Sequence, residues 1–109
     1  MKLLIVGSRS ITSFDLSPHI PADVELIITG GAKGVDTLAE EYAREYGIPT
    51  VTVKPAYEKY GRAAPFCRDE EMVDMADTVL VVWDGVSRGS KHTADYARKT
   101  GKPLILVTI

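Results

Sequence analysis

The sequence predicts an α/β fold, a doubly wound three-layer sandwich on a five-stranded parallel sheet, and it does so on three grounds. The apolar runs at residues 3–6, 79–83 and 104–107 are continuous, rich in β-branched residues and bounded by Gly, Asp or Pro. Such runs read as strands covered on both faces, the pattern of a parallel sheet. The segments between strands carry helical patterns, and strands alternating with helices close by right-handed crossovers into this architecture.

Taken in order, the first strand (3–6) is followed by Gly7-Ser8-Arg9-Ser10 and then by residues 11–20, where Ser13 is placed to cap a short helix that Pro18 limits. Residues 24–29 give the second strand. Gly30, Gly31 and Gly34 then open a helix in which Val35, Leu38, Ala39, Tyr42, Ala43 and Tyr46 share one face, while Glu40, Glu41, Arg44 and Glu45 fill the other. Gly47 stops it and Pro49 reinforces the stop. The alternating Thr50-Val51-Thr52-Val53 is the third strand. Residues 54–64, with Pro55, Tyr57, Tyr60, Gly61 and Arg62, are the longest stretch expected to be irregular, and a loop of that length in a small domain points to function. A helix over about 65–75 offers Phe66, Met72, Val73 and Met75 to a core. The fourth strand (79–83) precedes a helix over about 91–100, ended by Gly101 and Pro103, and the fifth strand (104–107).

The chain of 109 residues, 45% hydrophobic and 26% charged, is expected to form one domain over 1–109. Its net charge of −2 gives no bulk attraction to a polyphosphate, so a nucleic-acid role would need a local basic patch. The lone Cys67 cannot form an internal disulfide, and residues 3–6 are too short a run for a signal-peptide core. Both observations predict a cytoplasmic protein. No stretch approaches the roughly 18 apolar residues of a membrane span, and no Cys/His set has metal-ligand spacing, so no cofactor is predicted.

In an open parallel sheet the ligand lies outside the carboxyl ends of the strands, where the polar punctuation of this sequence gathers. Gly7, Ser8 and Arg9 follow the first strand, Gly30, Gly31, Ala32, Gly34 and Asp36 the second, and Gly85, Ser87, Gly89, Ser90 and Thr93 the fourth. Each group joins a strand to a helix N-terminus, where free N–H groups favour an anion. One Gly-Gly at such a joint is accounted for by close packing; three such loops on one edge suit phosphate or pyrophosphate. Asp36 is either a favourable charge in the first helical turn or an acceptor for a ribose or base. Arg68 and Arg62 are either solvated helix-end charges or phosphate contacts, and His92 reads as a surface or packing residue. Neither a Walker loop nor a G-x-G-x-x-G series is present.

Together, Gly7-Ser8-Arg9, the stretch from Gly30 to Asp36 ("GGAKGVD") and Gly89-Ser90-Lys91-His92-Thr93-Ala94 resemble the SLOG superfamily, which joins the DNA-processing (Smf/DprA) proteins, the LOG phosphoribohydrolases and the YspA-like proteins. The stretch Tyr60-Gly61-Arg62-Ala63-Ala64 followed by Arg68-Asp69-Glu70-Glu71-Met72 is similar to the YspA-like "yGkaAGpxRNxxM", with Pro65 and Asp69 in place of Gly and Asn. The resemblance implies a Rossmann-like domain that binds a nucleotide or nucleotide-derived ligand, and a homodimer as the usual form. LOG enzymes cleave an N-glycosidic bond with an Arg of "RKxxM" and the Glu of "PGGxGTxxE". Arg68 and Met72 match the first motif, but the Glu position falls on Thr93. Hydrolysis would then need another proton handler, Asp36, Asp84 or His92. The DNA-processing branch binds single-stranded DNA, for which Arg9, Lys33, Arg88 and Lys91 would have to form a basic rim; the acidic balance and the lack of an aromatic-plus-basic stripe speak against it.

Overall fold

Residues that alternate along a strand face opposite sides of a sheet, so a continuous apolar run supplies two cores at once. The computed structural model, which describes residues 1–109, has this form. Strands β1 (Lys2–Gly7), β2 (Leu26–Thr29), β3 (Thr50–Thr52), β4 (Thr78–Trp83) and β5 (Leu104–Thr108) make one all-parallel sheet in the order β3-β2-β1-β4-β5. The helices are α1 (Val35–Tyr46), α2 (Tyr57–Tyr60), α3 (Ala64–Met75) and α4 (Arg88–Lys99). Leu3, Ile5, Ile27, Leu80 and Val82 pack with Val35, Ala39 and Ala43 of α1 on one face. Leu4, Val6, Ile28, Val79 and Val81 pack on the other with Met72 and Val73 of α3 and Ala94 and Ala97 of α4. The fully buried Leu, Ile, Val and Met side chains among these each contribute about 2 kcal/mol by leaving water.

Central strand β1 sets the position of the site. Leu3 pairs with Ile27 of β2 on one side and Thr78 of β4 on the other. The chain winds outward from β1 through β2 to β3, then returns to lay β4 against the free side of β1. Strand order therefore reverses between β1 and β4, and the crevice at their carboxyl ends is the place where such sheets accept ligands.

Local contacts explain where the elements depart from expectation. Residues 11–20 hold no α-helix capped by Ser13; only Ser17–His19 turn, as a 3-10 helix with Pro18 in its first positions. Asp15 Oδ1 accepts the Ser17 N–H at 3.0 Å, and Ile11 and Leu16 are drawn into the α1-side core, so the segment is an anchored strap. Within 54–64 only residues 54–56 are irregular. The Ala56 carbonyl accepts from the Lys59 and Tyr60 N–H groups to close α2, and a 3-10 turn, Gly61–Ala63, leads into α3. Helix α4 starts at Arg88 rather than near Lys91, which puts Gly89 and Ser90 in its first turn.

Candidate functional site

The loops after β1 and β4 are bonded to each other. Ser8, 1% exposed, accepts the Asp84 N–H on its hydroxyl at 2.9 Å, and the same oxygen lies 2.9 Å from Ser87 Oγ. Asp84 Oδ1 accepts the Val86 and Ser87 N–H groups, both at 2.9 Å, and Oδ2 accepts the Ser10 hydroxyl at 3.0 Å. The Ser87 and Val86 N–H bonds hold the Asp84 carboxyl down at about 2, so it is a fixed anion that shapes its loop. Gly7, the last residue of β1, has no room for a side chain: a Cβ there would stand 2.2 Å from the Val82 carbonyl oxygen and 2.5 Å from Val35 Cγ2.

The glycine-rich loop after β2 folds onto this pair. Gly34 has φ 77°, and a Cβ on it would lie 2.4 Å from the Ser8 carbonyl oxygen, which also accepts the Val35 N–H at 3.4 Å. The Gly31 N–H donates to Thr29 Oγ1 at 3.3 Å and the Ala32 N–H to Asp36 Oδ2 at 3.1 Å. Much of the loop's hydrogen-bonding capacity is thus turned inward, and the α1 N-terminus is docked on the Ser8 backbone. Asp36 is 4% exposed; burial pushes its carboxyl up to about 6, against the pull of the Ala32 N–H and the nearby Arg68 guanidinium.

Helix α3 supplies the guanidinium. Arg68 Nη1 donates to the Gly30 carbonyl at 2.9 Å and the Val53 carbonyl at 3.4 Å, while Nε donates to Asp69 Oδ1 at 2.8 Å. Gly30 makes room for it, since a Cβ there would lie 2.7 Å from Nη1. Arg68 and Asp69 are both buried. Burial raises the Asp69 carboxyl above its ordinary range in spite of the adjacent Arg68. A buried cation therefore stands between two carboxylates that burial disfavours in their charged form.

Of the residues expected from sequence, Gly7, Ser8, Arg9, Ala32, Asp36, Arg68, Ser87, Gly89, Ser90 and Thr93 line one cleft of about 470 Å³ at the carboxyl ends of β1 and β4. Gly30, Gly31, Gly34 and Gly85 do not line it; Gly30 and Gly34 act from behind through the contacts just described. Val6, Ser10, Pro65, Phe66, Asp69 and Asp84 complete the lining. Sequence reasoning missed Asp69 and Phe66 as site residues, although Asp69 adjoins Arg68 and Phe66 lies two positions before it on the same helix. The first-turn N–H groups of α4 have no intrahelical acceptors, as at any helix start, and no side-chain cap bond serves them where Gly89 and Ser90 border the cleft. His92 lies off the lining, with Nε2 2.9 Å from Glu70 Oε2. Lys33, Arg88 and Lys91 are exposed and also off the lining, and Lys91 pairs with Asp95 at 2.8 Å. No group of three His, Cys, Asp or Glu side chains is placed to hold a metal ion, and no helix is long and apolar enough to cross a membrane.

Comparison with known proteins adds a family. The model of the YspA, cpYpsA-related SLOG family (YAcAr) matches residues 1–60, which carry β1, β2, the glycine-rich loop and α1; Arg68, Asp69 and the α4 N-terminus lie beyond the matched stretch. No curated protein matches the chain, and no solved structure does. With more than half its length matched, on an all-parallel Rossmann-like sheet whose switch-point crevice is an open cleft, the chain belongs to the YspA, cpYpsA-related SLOG family.

Proposed function

We propose that the protein binds a nucleotide or nucleotide-derived small molecule in the cleft between β1 and β4. The observation that carries the reading is the uncapped α4 N-terminus, opening on a cleft that also holds the Ser8, Ser87, Ser90 and Thr93 hydroxyls, Arg9 and the buried Arg68. Helix-terminal N–H groups, a helix dipole and hydroxyls suit a phosphate. Asp36 and Asp69 are acceptors suited to ribose hydroxyls. The cleft is lined by Asp36, Asp69 and Asp84 against Arg9 and Arg68, a balance that disfavours a strand of many phosphates and so a single-stranded nucleic acid.

A second reading, hydrolysis of a nucleotide's N-glycosidic bond, is favoured by Asp36. Of the three alternative proton handlers, Asp84 is held ionised by its loop and His92 stands off the lining; Asp36 is buried in the cleft with its carboxyl at about 6, a range useful to a general acid or base.

Gly89 offers a clean test. A Cβ there meets nothing closer than Asp69 Oδ2 at 3.9 Å, and Gly89 lines the cleft, so a side chain at this position is expected to occupy cleft space at little cost to the fold. Thermal melting with AMP, ATP, NAD, ADP-ribose, cyclic dinucleotides and a short oligonucleotide should show stabilisation by a small nucleotide derivative, about 2.7 kcal/mol at 100 times its dissociation constant. Gly89→Leu should fold as well as the wild type and lose that stabilisation. Stabilisation by the oligonucleotide alone would replace this reading, and release of free base from the binding nucleotide would establish the second.

A further inference from the structure

We propose that Phe66 is the stacking platform for the flat heterocycle of the ligand, and that the His92–Glu70 pair holds its ring in position; the inference rests on the nucleotide reading above. A nucleotide has a polar sugar-phosphate half and a planar, largely apolar half, and the second half needs an apolar surface to leave water. Most residues lining the cleft are polar or small, and Phe66 is its only aromatic side chain. Val6, 6% exposed, lies in its floor, and Ala32 is small.

The helical pattern assigns Phe66 to the core, yet it is 39% exposed at the border of the cleft. A single exposed aromatic is ordinary on a protein surface; this one is also oriented. Its ring centroid is 5.0 Å from that of His92 at an interplanar angle of 71°, an edge-to-face contact that covers at most one face of the Phe66 ring. His92 is fixed in turn by Glu70, at 2.9 Å from Nε2 to Oε2. The pair bridges α3 and α4, the two helices that also deliver Arg68 and the uncapped N-terminus. A ring held from one side and open on another loses little freedom when a second ring lands on it, the condition for a preorganised contact.

Calorimetric titration of the full chain with AMP, UMP and ribose 5-phosphate tests the proposal. The nucleotides should bind the wild type at least about 5-fold more tightly than ribose 5-phosphate, the lower end of what base-aromatic stacking provides. Phe66→Ala should weaken nucleotide binding by about 5- to 100-fold and leave ribose 5-phosphate unchanged, while Phe66→Tyr keeps wild-type affinity. His92→Ala should give a smaller loss confined to the nucleotides. If Phe66→Ala binds AMP and UMP as the wild type does, or if ribose 5-phosphate binds the wild type as tightly as they do, the platform is refuted while the phosphate site stands. If none of the three binds the wild type, and neither do ATP, NAD, ADP-ribose or cyclic dinucleotides, the nucleotide reading falls and takes the platform with it.

Discussion

Ser8 shows how one side chain can hold two loops in the geometry of a site. Its hydroxyl accepts the Asp84 N–H and meets Ser87 Oγ, and its carbonyl receives the Val35 N–H at the start of α1. Ser8→Ala leaves the Asp84 N–H without that acceptor and should cost about 2 kcal/mol in urea denaturation. Ser10→Ala, at an exposed hydroxyl bonded to the same Asp84, should change stability by about 0.5 kcal/mol or less. Gly34→Ala should be more severe, about 3 kcal/mol, because the new methyl meets the Ser8 carbonyl at 2.4 Å on a backbone at φ 77°. Equal losses for Ser8→Ala and Ser10→Ala would refute the view that the buried hydroxyl is the tie.

At the scale of elements, α4 separates what sequence can reveal from what it cannot. The strands and α1 were legible because their signals are local: unbroken apolar runs, a helical stripe from Val35 to Tyr46 and a glycine stop at Gly47. The start of α4 was not, since Arg88-Gly89-Ser90 has no strong helical preference of its own. It is placed by bonds around Ser87, of which the long-range one joins its hydroxyl to Ser8; its N–H meets Asp84, and its carbonyl accepts both Trp83 Nε1 at 2.9 Å and the Lys91 N–H. In the same way, Gly30 and Gly34 of "GGAKGVD" leave room for Arg68 and for the Ser8 backbone, packing that no local pattern foretells. The Asp69 carboxylate was hidden by the same limit: in sequence it is one more charge on a helix, and only the fold buries it beside Arg68. A consequence can be measured at Gly89. With only an ordinary contact at its Cβ position, to Asp69 Oδ2 at 3.9 Å, Gly89→Ala removes backbone freedom from the first turn and should stabilise the protein by about 0.5–1 kcal/mol in urea denaturation. A loss of stability would show that the turn is not helical as described.

For the molecule as a whole, the buried charges of the cleft make stability depend on pH. The Asp36 carboxyl has an ordinary value of 3.8, and burial lifts it to about 6 in the folded protein, which therefore holds its proton more tightly than the unfolded chain does. The stability this contributes is complete below pH 3.8 and is lost as pH rises through about 6, in all about 3 kcal/mol. Asp84 behaves in the opposite sense: its contribution is present above 3.8 and is lost only as pH falls through about 2, so it leaves the Asp36 window clear. Arg68 and Asp69 act on Asp36, and Asp69 is itself raised by burial, so the wild-type curve alone mixes two acids. Asp36→Asn isolates the first, because its amide oxygen can still accept the Ala32 N–H while its charge is gone. The variant should match the wild type within about 1 kcal/mol near pH 4 and exceed it by 1–3 kcal/mol at pH 8, measured by urea denaturation at both values. A difference independent of pH would mean that Asp36 is solvated and unavailable as a poised acid. A ligand that donates hydrogen bonds to the ionised Asp36 reverses part of this cost, so the stabilisation it gives should grow more between pH 5 and 7 in the wild type than in Asp36→Asn, where only the second ionisation of a phosphate at about pH 6 remains. That contrast would tie the bound molecule to the buried carboxylate of the cleft rather than to the exposed rim.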